Sequence, residues 1–392
     1  MSFNFVADSI LRDKAYPALA EWQAAPYTPE WRQFIQHWPH TVPCELHEHC
    51  KDHSYPHNIY RINDSFPPNS YYSVAIGFFD FNIDYFALMS DDVQNKLRDQ
   101  KLQVLFYYHE GDNPFLIKER LDTLCLKWQL PRDCYRFVSG NTAADKIPGF
   151  LYFPDHELLY WRRNIKVTPT PIHTNKRDKD FTILSRTHKW WRATAMADLY
   201  RQGLLNNSYW SYNTDISLGE NPADNPIEID TLEIRTDIDN FLSGGPYTCD
   251  NLTVDQHNDH SLIEIDHYTN SYCSIIFETH FDADGSGGTF LTEKTFKAIK
   301  HGQPFIIVGP PGSLATLRRL GYQTFDYAID NSYDSEMDNT QRWLKIVNAI
   351  RKIKLQNLQK WFLNCHTDIE YNQQLFVGSK YNRLNTLYER LK

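Results

Sequence analysis

The sequence predicts an α/β fold of two domains, each built on a parallel sheet, followed by a long C-terminal amphipathic helix. Three observations carry this. At 392 residues the chain exceeds what one hydrophobic core usually organises, so two domains are expected. In both halves, β-branched and aromatic runs alternate with helical ones in short steps, the order that produces parallel strands with right-handed crossovers. Between the halves, VTPTPIHTNKRDKD at Val167–Asp180 has two prolines, clustered charge and no apolar rhythm, and so reads as a linker. The expected boundaries are a first domain over 1–167, a linker over 168–180, a second domain over 181–335, and a helical segment over 336–392 that packs back across both.

The elements follow in order. YYSVAIGFF from Tyr71 and KLQVLFYY from Lys101 read as strands, and Pro114–Trp128 as a helix. After the linker, DFTILSR is a strand and HKWWRATAMADLYRQG a helix closed by Gly203. SYCSIIFE at Ser271–Glu278 is a strand, 293–301 a helix ending at Gly302, PFIIVG a strand, SLATLRRLG a helix and YQTFDYAI a last strand. Trp343, Ile346, Val347, Ile350, Leu358, Trp361 and Phe362 fall at helical spacing.

Composition excludes several classes. No apolar run is long enough to span a bilayer, and the opening MSFNFVADSILRDKAYP lacks a basic region followed by an apolar one, so no signal peptide is expected. Seven cysteines without regular spacing fit a reduced, cytoplasmic setting. The 24 Tyr, 23 Phe and 10 Trp supply cores and flat faces that stack on sugar or base rings. The net charge of −9 is uneven: residues 213–268 hold 13 acids against Arg235, while 340–392 hold 10 Lys/Arg against three acids. Both read as solvated surface, although the basic segment could also meet phosphates.

The richest stretch is DADGSGGTFLTEKTFKAIKHGQPFIIVGPPG, Asp282–Gly312. Asp282, Asp284, Ser286, Gly287 and Glu293 match the spacing of a calcium loop, but a strand-like segment precedes it where a helix is required. Asp282-Ala-Asp284 alone also fits a cation held against a diphosphate. The other reading makes Thr292 the cap of a helix with Glu293 and Lys294 in its first turn, and Leu291 and Phe296 at staple spacing. That helix start, at the carboxyl end of a parallel strand, presents N–H groups and Lys294 to a phosphate, while Glu293 accepts from ribose hydroxyls. Gly285, Gly287 and Gly288 would let the backbone approach a ligand. The plain alternative is an ordinary capped helix with Glu and Lys on its surface.

FLTEKTFKAIKHGQPFIIVGPPGSLATLRRLGYQTF resembles the donor-site region of GT-B glycosyltransferases, especially fucosyltransferase-like ones, where a Ser/Thr-Glu-Lys at a helix start binds the nucleotide sugar. FTILSRTHKWWRATAMADLYRQGLL resembles the opening strand and helix of the same domain, and YCSIIFETHF the strand that ends in Glu before the donor loop. The resemblance covers about residues 180–330. It implies two Rossmann-like domains and a donor site of Arg186, Lys189, Arg192, Glu278, Thr292, Glu293 and Lys294. No cofactor is implied beyond the nucleotide sugar itself. A divalent metal is not expected, although Asp282 and Asp284 are more acidic than a diphosphate neighbourhood suggests.

Such a transfer needs positive charge on the departing nucleoside diphosphate, for which Arg186 and Lys294 are the candidates. An inverting transfer also needs a base for the acceptor hydroxyl. HEGDNP, after KLQVLFYY, offers Glu110, with Asp112 and His109 beside it. Asp80 is the next choice, and Tyr107 or Tyr108 could stack on a sugar. The acceptor is a hydroxyl-bearing glycan or, alternatively, a modified nucleic-acid base, which would have to be flipped out. A third reading is a non-catalytic metal-binding protein. Besides the calcium loop, HWPHTVPCELHEHCKDHSYPH places His37, His40, Cys44, His47, His49, Cys50, His53 and His57 within 21 residues, ligand types suited to zinc at a spacing that fits no known zinc module.

Overall fold

The computed structural model describes residues 2–7, 45–76, 79–158, 169–185, 187–214, 222–228, 232–249, 264–282 and 285–392. They fall into two units. The first comprises Met1–Arg162, Asp284–Gly288 and Ser379–Lys392, the second Arg163–Ala283 and Thr289–Gly378.

The first unit runs β1 (Phe3–Ala7), α1 (Glu45–Asp52), β2 (His57–Arg61), β3 (Ser70–Ile76), α2 (Asp91–Arg98), β4 (Gln103–Tyr108), α3 (Pro114–Lys127), β5 (Tyr135–Ser139) and β6 (Phe150–Tyr152). The strands form one parallel sheet in the order β2-β1-β3-β4-β5-β6. Side chains of β4 alternate between two cores, as the two-residue period of a strand requires. Val104, Phe106 and Tyr108 pack with Val93, Leu97, Ile117 and Leu121 of α2 and α3. Leu105 and Tyr107 face the other way, into a core with Phe3, Phe5, Leu46 and Cys50. Helix α3 starts where Asn113 caps the amide of Phe115 and Pro114 fills the first turn, which needs no N–H.

The second unit runs β7 (Lys179–Ser185), α4 (Trp190–Arg201), β8 (Tyr209–Tyr212), α5 (Leu232–Ser243), α6 (Ile265–Thr269), β9 (Ser271–Phe277), α7 (Glu293–Lys300), β10 (Phe305–Val308), α8 (Ser313–Arg319), α9 (Asn339–Lys354), α10 (Leu358–Asn364) and α11 (His366–Gly378). Its sheet is parallel, in the order β10-β9-β7-β8. All seven residues of β9 are buried, as expected of a strand covered on both faces. The last helix, α12 (Lys380–Leu391), belongs to the first unit, where Leu384, Leu387 and Leu391 join the core of Leu105 and Tyr107. It is tied there by Glu157, fully buried, which accepts from Ser379 Oγ at 2.5 Å, Arg383 Nε at 3.0 Å and Lys380 Nζ at 3.3 Å.

Two expectations change. YQTFDYAI makes no strand: Phe325 takes a left-handed φ of 61°, and the backbone N–H and C=O of Gln323 bond the side chain of Asn372 rather than a neighbouring strand. The C-terminal amphipathic helix is α9, and the chain breaks after Lys354 before Asn357 caps α10 through the amide of Lys360. No described helix is long and apolar enough to cross a membrane.

Candidate functional site

The strand order of the second unit singles out one position for a ligand. The chain leaves the central strand β7 for β8 on one side and later returns to β9 on the other. Connections therefore diverge between β7 and β9, and in an open parallel sheet that divergence leaves a crevice at the carboxyl ends of the two strands.

β9 ends at Phe277, and Glu278 follows, fully buried. Its carboxylate accepts from Thr295 Oγ1 at 2.5 Å, Thr292 Oγ1 at 2.6 Å and the amide of Thr292 at 3.2 Å. Its own amide donates to Val308 O at 3.0 Å, and its carbonyl accepts from Arg192 Nη2 at 2.5 Å. Glu278 thus fastens the end of β9 to the first turn of α7, its carboxylate held by Thr292 and Thr295 of that turn. Arg192 is equally internal: it is 3% exposed and donates to the carbonyls of Glu278 and Thr187.

Thr292 caps α7, accepting from the amide of Lys294 at 3.4 Å, with Leu291 and Phe296 both buried at the staple positions. Lys294 Nζ lies 3.1 Å from Thr292 Oγ1 and 3.1 Å from Glu293 Oε1. The Glu293 side chain is 6% exposed and that of Lys294 30%, so Lys294 is the charge this turn presents outward. Its ammonium adds to the partial positive charge of the helix start. Lys189 stands at the start of α4, just beyond β7, half-buried and without a side-chain cap bond. Arg186 lies outside the described residues. At the start of α8, Asp334 accepts from the amides of Leu314 at 2.8 Å and Ala315 at 2.9 Å, supplying the anion such a helix start attracts; at the start of α7 the Glu278 carboxylate takes the Thr292 amide in the same way, which leaves Lys294 as the outward charge.

The glycine-rich loop serves a different purpose from the expected one. Asp284–Gly288 groups with the first unit, where Lys146 Nζ donates to Gly287 O at 3.1 Å and Asn141 Nδ2 to Ser286 Oγ at 3.4 Å. A Cβ on Gly288 would lie 1.9 Å from Asn141 Oδ1, so the missing side chain admits the protein's own chain. The calcium reading loses its geometry: Ser286 is bonded to Asn141, Glu293 sits in a helical turn paired with Lys294, and a strand precedes the loop. Asp282 is exposed, and Asp284 lies outside the described residues.

In the first unit, Glu110 follows β4 and pairs with His109 at 3.3 Å. Asp112 accepts from the Tyr108 hydroxyl, whose pKa is raised by burial and by that carboxylate. Asp80 follows β3, with its Oδ1 accepting from the amide of Asn82 at 2.7 Å. Tyr107 and Tyr108 are each 1% exposed and serve the core. Behind this edge lies a cluster not foreseen from the sequence. Buried Asp155 accepts from His49 Nε2 at 2.8 Å and from the Tyr107 hydroxyl. Burial pushes the Asp155 carboxyl up, but His49, His109 and His156 together outweigh it and hold the carboxyl below its usual range. Asp155-His156-Glu157 reads as surface in sequence, and no spacing betrays its burial. The zinc reading finds no support here. His49 is engaged by Asp155, and among the described residues no three His, Cys, Asp or Glu side chains gather to hold a metal. His37, His40 and Cys44 lie outside the described residues.

No protein-family model matches the chain, and no curated protein matches it. Among solved structures it is similar to a DNA-modifying β-glucosyltransferase determined with and without uridine diphosphoglucose, at 10% identity over 99% of both chains and a TM-score of 0.42. Two T4 phage BGT structures, a mutant with UDP-glucose and a complex with UDP and Mn2+, match at 9% identity over 100% of both chains, with TM-scores of 0.38 and 0.40. A likeness at this identity and score assigns neither family nor activity to the chain.

Proposed function

We propose that the protein is a glycosyltransferase that moves a sugar from a nucleotide-sugar donor to an acceptor hydroxyl, with inversion. The observation that carries this reading is the convergence, at the divergence point of a parallel sheet, of the capped start of α7 with the outward-facing Lys294. That arrangement suits the diphosphate of a nucleotide sugar: the Lys294 ammonium, with the partial positive charge of the helix start behind it, meets the charge that grows on the leaving oxygen as the glycosidic bond breaks. Lys189 and Arg186 add to it from the β7 side, and Glu293 binds ribose hydroxyls. Glu278 and Arg192 act beneath them by fixing α7 to β9. Glu110 takes the acceptor proton, with Asp112 and Asp80 as alternatives. Lys294 and the helix start supply the positive charge that a divalent cation provides elsewhere, so transfer proceeds in a chelator.

The test is thermal unfolding with uridine, guanosine, adenosine and cytidine diphosphates and with UDP-glucose, each with Mn2+ and with EDTA. A ligand that binds the folded state raises the melting temperature. At least one nucleotide stabilises the wild type, and Lys294→Ala abolishes that gain. Because the side chain is partly exposed, its loss shifts unliganded stability by no more than about 0.5 kcal/mol. The reading fails if no nucleotide stabilises the wild type or if the variant responds as the wild type does.

A further inference from the structure

Between the segment that follows β3 and helix α3 lies an open concavity of about 400 Å³ lined by Phe81, Leu116, Glu119, Arg120 and Thr123. Phe81 is 42% exposed and Leu116 52%. The patch adjoins one candidate base, Asp80, and reaches a second, Asp112, through two rings. Asp80 precedes Phe81, whose ring packs edge-on against Phe79 at 5.0 Å. Phe79 meets Tyr108 at 6.4 Å, and the Tyr108 hydroxyl binds Asp112. Arg120 Nη2 donates to Ile83 O at 3.2 Å, while its buried Nε has no hydrogen-bond partner among the described residues.

We propose that this concavity is the acceptor subsite and that its ligand is a neutral pyranose ring stacked on Phe81. A pyranose has a C–H face that suits the negative face of an aromatic ring, and a rim of hydroxyls that both donate and accept. Here the Phe81 ring is 42% exposed and shares the concavity with a carboxylate, a guanidinium and a hydroxyl. The local charge argues against a nucleic acid. Asp80, Asp112 and Glu119 outnumber Arg120, while Lys118 and Lys127 of the same helix are paired with Asp122 at 2.6 Å and Asp84 at 2.7 Å. A phosphodiester chain needs cations to replace its counterions and meets net negative charge instead. That the subsite holds the acceptor rests on the transferase reading; that it binds a sugar does not.

The experiment is saturation-transfer NMR on the full chain with the methyl glycosides of glucose, galactose, mannose and xylose at millimolar concentration. At least one glycoside takes up saturation on its ring protons. Phe81→Ala weakens its binding about fivefold, the size of one aromatic contact, and Phe81→Trp retains it. The affinity for UDP-glucose is the same in all three proteins. The proposal is overturned if no glycoside is saturated, if Phe81→Ala binds as the wild type does, or if a single-stranded oligonucleotide binds in a Phe81-dependent way. Should glycosides bind through Phe81 while no nucleotide stabilises the protein, the subsite stands and the transferase reading falls.

Discussion

Glu278 and Lys294 divide the work of the site between them. A carboxylate in full burial is tolerated only when its oxygens are satisfied, and Glu278 is satisfied by the turn it anchors. Lys294 keeps part of its surface and is the group a ligand can meet. The rule that a Thr before Glu-Lys caps a helix was enough to place Thr292, Glu293 and Lys294 correctly. The same rule could not show that neighbouring Gly288 makes room for Asn141, because that contact joins residues 147 apart in sequence. The base assignment is tested by Glu110→Gln, which keeps size and polarity but cannot take a proton. Transfer falls about 10²–10⁴-fold, while donor affinity measured by calorimetry stays at the wild-type value. A parallel fall in both would show Glu110 supporting the fold, and no fall would move the search to Asp112 and then Asp80.

At the scale of elements, helix α7 has contrasting ends. Its start offers Lys294 outward, and its end buries His301, whose Nδ1 lies 2.7 Å from Thr170 Oγ1. Burial, helped by the charges of Lys300 and Lys297, drives the His301 pKa down to about 3. Above about pH 6.5 His301 is neutral in both folded and unfolded states, and its burial costs nothing by titration. Below that, the unfolded chain binds a proton that the folded chain refuses. Stability then falls by up to about 1.4 kcal/mol per pH unit on this account. Urea midpoints measured from pH 7.5 to 5 should decline in the wild type and decline less steeply in His301→Gln; equal slopes would assign the effect to other groups. Most element types could be read from residue patterns, since β4, β9, α3 and α7 follow plain period and capping rules. YQTFDYAI was misjudged for a physical reason. Its aromatic and β-branched content suits a strand, but Asn372, far along the chain, takes the backbone groups a strand would need. The capping of α8 by Asp334 was equally hidden, because the amides lie about 20 residues before the carboxylate.

For the molecule as a whole, βα alternation was readable, but strand order was not, and strand order is what locates the crevice between β7 and β9. A C-terminal segment that packs back across both domains was expected, but nothing in the sequence revealed that the first unit is also assembled with Asp284–Gly288. Glu157, buried among Ser379, Lys380 and Arg383, is the polar anchor of the C-terminal segment. Glu157→Ala leaves buried cations uncompensated and should lower the stability of the first unit by about 3–5 kcal/mol in urea unfolding. A loss below about 1 kcal/mol would mean the helix is held by its leucines alone. Because α12 completes the core of Leu105 and Tyr107, that core lacks Leu384, Leu387 and Leu391 on the ribosome until about 220 further residues have been made after Arg162. At about 5–20 residues per second the nascent chain spends roughly 10–45 s in that state. The first unit therefore finishes folding only after the second has been synthesised, although most of its own sheet is made first.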